Sequence, residues 1–179
     1  MASPSIALGV YAPPASPHST VRLQAQLWTW LPVLACVTVF AIESSSLFGS
    51  DHTSLPLRRI AEVLCGRGVD AHWVLIHRLI RKTGHFMGYG VFSLVCFRGF
   101  WRSLQGAAWI LLRQLRAHGL AILATFLVAG ADEFHQSFLP NRSGQFSDVL
   151  LDTCGGMALC LVLFLAMQAA QSTRSSNPR

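Results

Sequence analysis

HGLAILATFLVAGADEFHQSFLPNRSGQFSDVLLD, residues 118–152, is the stretch that decides the fold. An apolar run that starts near His118 closes on four polar side chains, Asp132, Glu133, His135 and Gln136. Pro140, Asn141, Ser143 and Gly144 follow, all of them turn formers. The chain then enters a second apolar run, from Val149 to about Ala169, with Asp148 and Asp152 at its start. Two apolar rods joined by a short polar connection read as a hairpin of membrane-spanning helices. Gly155 and Gly156 fit that reading, because small residues let neighbouring backbones approach closely in lipid.

Working outward, the whole chain shares this character. Of its 179 residues 52% are apolar and only 12% charged. That is too little charge to cover a soluble domain, so lipid is expected to face the excess apolar surface. One domain is expected at this length. The net charge of +6 is no sign of nucleic acid, because the bases cluster at the ends of apolar segments, as in membrane proteins. A first span is read from Leu27 to Ile42, continuing past Ala35 and Cys36 as an uncleaved signal anchor would. A second runs from about Arg81 to Trp101. Its apolar centre, Phe86 to Phe97, is short for a bilayer, and snorkelling by Lys82 and Arg98 would close the gap.

The expected fold is therefore all-α, an integral membrane bundle of about four transmembrane helices in antiparallel up-down order. Residues 50–81 mix Arg58, Arg59, Glu62 and Asp70 with Ile60, Val63, Leu64 and Trp73, which predicts amphipathic helices at the interface between the first two spans. Residues 102–117, with Arg102, Arg113 and Arg116 around Trp109 to Leu112, predict another between spans two and three. Residues 1–25 are rich in Ala, Pro and Ser and read as a disordered tail, residues 26–169 as the membrane domain, and residues 170–179 as a second disordered tail. The five cysteines show no CxxC pairing and read as small hydrophobes.

Up-down threading carries four polar segments to one membrane side: Glu43; Lys82, His85 and Tyr89; Asp132, Glu133, His135 and Gln136; and Asp148 with Asp152. Lys82, His85 and Tyr89 are spaced i, i+3, i+7, while Asp132 and Gln136, like Asp148 and Asp152, are i, i+4, so each set shares a helix face. Ionisable groups within a bilayer cost a few kcal/mol each and mark either a function or a structural ion pair. As a structural network, Lys82 and Arg142 would neutralise acids and hold the helices in register. The count weighs against pairing alone, since five acids face two permanent cations. Some acid should then be protonated, bound to a cation or hydrated. Neither HExxH nor another fixed metal spacing is present, so no metal ligands are assigned and no cofactor is named.

These residues resemble the VanZ-like membrane proteins. The matching elements are Lys82-x-x-His85-Phe86-x-x-Tyr89, then Asp132-Glu133-Phe134-His135-Gln136-x-Phe138-x-Pro140-x-Arg142-Ser143, then Asp148 followed by Gly155 and Gly156. The resemblance covers about residues 30 to 168. Two positions depart from the pattern, with Asn141 where Gly is frequent and Asp152 where Asn is frequent; the second adds a negative charge within the site. The family takes its name from a protein associated with low-level resistance to teicoplanin. The resemblance thus implies a membrane bundle and, for function, a link to glycopeptide resistance at most.

The leading functional expectation is a site for an anionic cell-envelope amphiphile such as a lipid-linked precursor, with a glycopeptide as the other partner the resemblance raises. Lys82 and Arg142 would hold phosphate or carboxylate oxygens. Tyr89, His135, Gln136, Asp148, Asp152 and Glu43 would complete the ligand shell. If the site is catalytic, Glu133 and His85 are the choices for proton transfer, with Asp132 or Asp148 orienting them. The rivals are a non-enzymatic scaffold or binding protein, and a small proton-coupled transporter that would have to form a homo-oligomer. Placement in the cell membrane follows from the spans. Lys and Arg tie at seven on each side, so the charge rule does not choose an orientation. Both termini are expected in the cytoplasm, because the 137–147 connection carries only Arg142.

Overall fold

Where the sequence alternates apolar rods with polar breaks, the chain forms helices. The computed structural model of the protein describes residues 17–45, 50–104, 109–140 and 142–175. Its elements are α1 (Pro17–Ser44), α2 (Ser50–Cys65), a 3-10 turn (Arg67–His72), α3 (Trp73–Ser103), α4 (Ile110–Gln136) and α5 (Phe146–Ser175). No strand occurs among the described residues. Gly66, at φ 80°, takes a positive-φ backbone conformation that L side chains rarely adopt, and there α2 ends and the chain turns towards α3.

Three stretches are long and apolar enough to cross a membrane, Gln24–Ser44, Ile110–Gln136 and Phe146–Thr173. The sequence leads one to expect about four. The remaining long helix, α3, does not join that set: its 31 residues include Arg78, Arg81, Lys82, Arg98 and Arg102, which confine its apolar centre to about three turns. Only 6% of the α1 stretch and 28% of each of the other two are buried within the protein, so their apolar side chains point mainly outward. That is the arrangement lipid requires.

α3 is the central element. Its Tyr89, Phe92, Cys96 and Phe97 pack with Ala117, Ala121 and Ala129 of α4 and with Val149 and Cys160 of α5. Alanines on α4 bring that helix close to the aromatic stripe of α3. Contacts fix the directions of the helices. Lys82 meets Asp148, His85 meets Asp152 and Ser93 meets Cys160, so α3 and α5 run the same way. Tyr89 meets Asp132 and Phe97 meets His118, so α4 runs against α3. Phe40 stacks on Tyr89 at 4.3 Å, while Trp30 lies edge-on to Phe100, so α1 also runs against α3.

Several expected boundaries are corrected. Residues 17–25, read as tail, extend α1, and residues 170–175 extend α5; residues 1–16 and 176–179 lie outside the described residues. The interfacial helix expected over 102–117 does not form as a separate element, because 110–117 are the first two turns of α4. No helix breaker separates Ile110 from His118, so the apolar run of α4 simply propagates through Arg113 and Arg116. Arg113 then lies over the Trp101 ring at 4.0 Å and donates to the Trp101 carbonyl. α2, by contrast, is a separate amphipathic helix held against the start of α3. Trp73 Nε1 donates to Ser54 Oγ at 2.8 Å, His77 Nε2 lies 3.3 Å from Thr53 Oγ1, and Arg58 pairs with Asp70.

Candidate functional site

The close approach of α5 to α3 builds the site. A Cβ on Gly155 would overlap the Phe86 carbonyl, so only glycine permits this contact, one turn from His85 and Asp152. Gly144 has the same role beside the Glu133 carbonyl, where the α4–α5 connection tucks under the end of α4. With the helices so placed, Lys82 Nζ meets Asp148 Oδ1 at 2.6 Å and His85 Nδ1 meets Asp152 Oδ2 at 3.4 Å. Between α3 and α4, the Tyr89 hydroxyl donates to Asp132 Oδ2 at 3.1 Å, and Gln136 Nε2 donates to the same oxygen at 3.2 Å.

Arg142 comes from the connection and acts as a strap. Its Nη2 donates to the carbonyls of Glu43 (2.8 Å) and Ser45 (3.2 Å), and its Nη1 to Gln136 Oε1 at 3.4 Å. The end of α1 is thereby tied to the end of α4. The Arg142 Nε is buried with no hydrogen-bond partner among the described residues. Burial, and then the neighbouring Arg81 charge, lower its pKa from the ordinary arginine value. Glu133, also buried, accepts the backbone N–H of Gln145 at 2.8 Å and so fixes the chain just before α5.

Two cavities open around these groups. One, of about 330 Å³, lies between α1, α2 and α3 and is walled by Val39, Phe40, Leu57, Gly88 and Tyr89, with Asp132 and Arg142 at its polar end. The other, of about 530 Å³, is polar: Arg78, Arg81, Lys82 and Arg142 line it together with Glu133 and Asp148. Arg81, His85 and Arg142 belong to both walls. A polar cavity rich in cationic side chains thus adjoins an apolar slot at a shared rim, an arrangement that can take an anionic group in one part and hydrocarbon in the other.

The sequence-derived residues fall into three groups. Lys82, His85, Tyr89, Asp132, Glu133, Gln136, Arg142, Asp148 and Asp152 are brought together. Glu43 lies at the rim of the apolar cavity, but its side chain is exposed and Arg142 engages only its carbonyl. His135 stays apart, exposed at the end of α4 and 3.1 Å from Ser44 Oγ.

The expected count of two cations for five acids is corrected, since Arg78 and Arg81 also line the polar cavity. Both were legible. Arg78, Arg81, Lys82 and His85 are spaced i, i+3, i+4, i+7, a single face of one helix, once α3 is known to begin at Trp73 rather than near Arg81. Gln145 carried no sequence signal, because it acts through its backbone.

No group of three or more ligating side chains suited to a metal ion occurs among the described residues. In comparison with known proteins, a family model described as VanZ/LLP1 matches residues 23–167. No curated protein and no solved structure matches the chain.

Proposed function

The chain belongs to the VanZ/LLP1 family, and we propose that its paired cavities bind an anionic amphiphile of the cell envelope, head in the polar cavity and chain in the apolar one. The observation that carries this reading is the lining of the polar cavity, where four basic side chains stand against two acidic ones. Guanidinium and ammonium groups grouped in this way suit phosphate or carboxylate oxygens. The adjoining slot lined by Val39, Phe40 and Leu57 suits a hydrocarbon chain, and the sparse packing of α1 gives that chain a way in from the bilayer.

In this reading α3 is the fourth span. Arg78, Arg81 and Lys82 lie at one end and Arg98 and Arg102 at the other, so snorkelling leaves its apolar centre in the hydrocarbon. α2 lies at the interface with Ile60, Val63 and Leu64 in lipid. Both termini are in the cytoplasm and the cavities open on the outer face of the cell membrane. A link to glycopeptide susceptibility would follow from handling an envelope precursor.

The test is a set of three variants, Glu133→Gln, His85→Ala and Arg142→Lys, checked for correct insertion and then scored for envelope defects and glycopeptide susceptibility. Loss of function in variants that insert normally is expected. Three inserted variants that behave as wild type would leave the charged residues as a structural network.

A further inference from the structure

We propose that the site is hydrolytic: it cuts the phosphoanhydride bond of a diphosphate carried on a membrane-resident hydrocarbon, with His85 as the base. This rests on the anionic-amphiphile reading and adds a reaction to it. The first observation is the pairing behind His85. Asp152 has no solvent exposure, its Oδ2 meets the Nδ1 of His85, and its Oδ1 has no partner among the described residues. A structural ion pair would set a permanent cation against such a carboxylate, but Lys82 is held by Asp148 and Arg142 by carbonyl oxygens and Gln136. Asp152 is paired instead with a group whose charge changes. A buried acid behind an imidazole fixes its tautomer and stabilises the imidazolium formed when the other nitrogen takes a proton.

The second observation is position. His85 lies in the wall shared by both cavities, where the head and chain of an amphiphile would meet. With Nδ1 directed at Asp152, Nε2 is the nitrogen left for exchange. The third is charge. Arg78, Arg81, Lys82 and Arg142 together exceed what a single phosphodiester needs and suit two linked phosphates. The fourth is the leaving group. An alcohol would need a proton as it departs, and the single O–H of Tyr89 is already donated to Asp132. Phosphate leaves without one.

In the step, a water oxygen bonds to the terminal phosphorus while one water proton moves to His85 Nε2. The bond from that phosphorus to the bridging oxygen breaks, and its electron pair stays on the bridging oxygen. Products are the lipid monophosphate, which leaves without a proton, and inorganic phosphate, which takes the proton from His85 after the bond to the bridging oxygen has broken. Arg81 and Arg142 offset the charge that builds up on the bridging oxygen. Asp152 is a positioning residue.

The experiment uses the full chain in nanodiscs with a long-chain prenyl diphosphate, following phosphate release, and in parallel measures binding of the methylene-bridged phosphonate analogue. Inorganic diphosphate serves as the soluble comparison. Expected are release from the prenyl diphosphate only, a loss of about 100- to 10,000-fold in kcat for His85→Gln with analogue binding kept, and a fall in kcat at unchanged KM for Asp152→Asn. Binding of the analogue by wild type without phosphate release overturns hydrolysis and leaves the binding reading standing. No binding overturns both. A His85→Gln variant that releases phosphate at the wild-type rate overturns the assignment of the base, and equal release from inorganic diphosphate overturns the membrane-resident substrate.

Discussion

Gly155 sets the geometry of the cleft, because the backbone of α5 touches the Phe86 carbonyl there and any Cβ would push α3 and α5 apart. Gly155→Ala is expected to lower stability by about 1–3 kcal/mol, read as a lower thermal midpoint in detergent micelles. The same change separates His85 from Asp152, so ligand binding should suffer beyond the loss in stability. The Lys82–Asp148 pair behaves differently. Its side chains are 44% and 28% exposed, so breaking it costs little stability, of the order of 1 kcal/mol or less. Lys82→Met should therefore leave the midpoint nearly unchanged and weaken binding of an anionic ligand, a split that parallel melting and binding curves would display. At this scale most of the site was legible. Helical spacing placed Lys82, His85 and Tyr89 on one face and Asp132 with Gln136 on another. The carbonyl-directed bonds of Arg142 were not legible, because spacing reports which side chains share a face and says nothing of which backbone atoms they reach.

Among the three apolar spans, α1 is the least buried. Its apolar surface faces outward, and Arg142 joins its last turn to α4 through the carbonyls of Glu43 and Ser45. Lysine offers one ammonium where arginine offers a planar fork, so Arg142→Lys cannot keep these bonds and the one to Gln136 together. The end of α1 should loosen. Cys36, half-buried between α1 and the core, is then expected to react with a thiol reagent several-fold faster than in the parent, measured after Cys65 and Cys154 have been replaced by serine. An unchanged rate would show that the strap carries no load. The sequence marked the helices through their apolar runs, and their ends less well. Arg113 and Arg116 read as interfacial punctuation, yet charged residues in the first turns of a long helix do not break it, and Trp101 gives Arg113 a partner. The centre of α3 was harder to read for a related reason: its bases line the site and shorten its apolar stretch.

For the molecule as a whole, the four bases of the polar cavity outnumber its two acids, and this local excess predicts selectivity for anionic amphiphiles. Because the polar cavity is open to solvent, part of that attraction is screened by salt, with a Debye length of about 8 Å at physiological ionic strength. Affinity should fall as salt rises. The threading that gathers these groups was visible in the alternation of rods and turns, whereas the division into a polar cavity and an apolar slot depends on α2 folding back over α3, which periodicity does not encode. The decisive measurement is equilibrium binding of an anionic amphiphile and of its zwitterionic counterpart to the full chain in nanodiscs, for wild type and for the Arg81→Gln, Arg142→Gln double variant. Preference for the anionic ligand is expected, with about a tenfold or greater loss of affinity in the variant. Equal affinity for both ligands, or a double variant that inserts correctly and binds as wild type does, would contradict it.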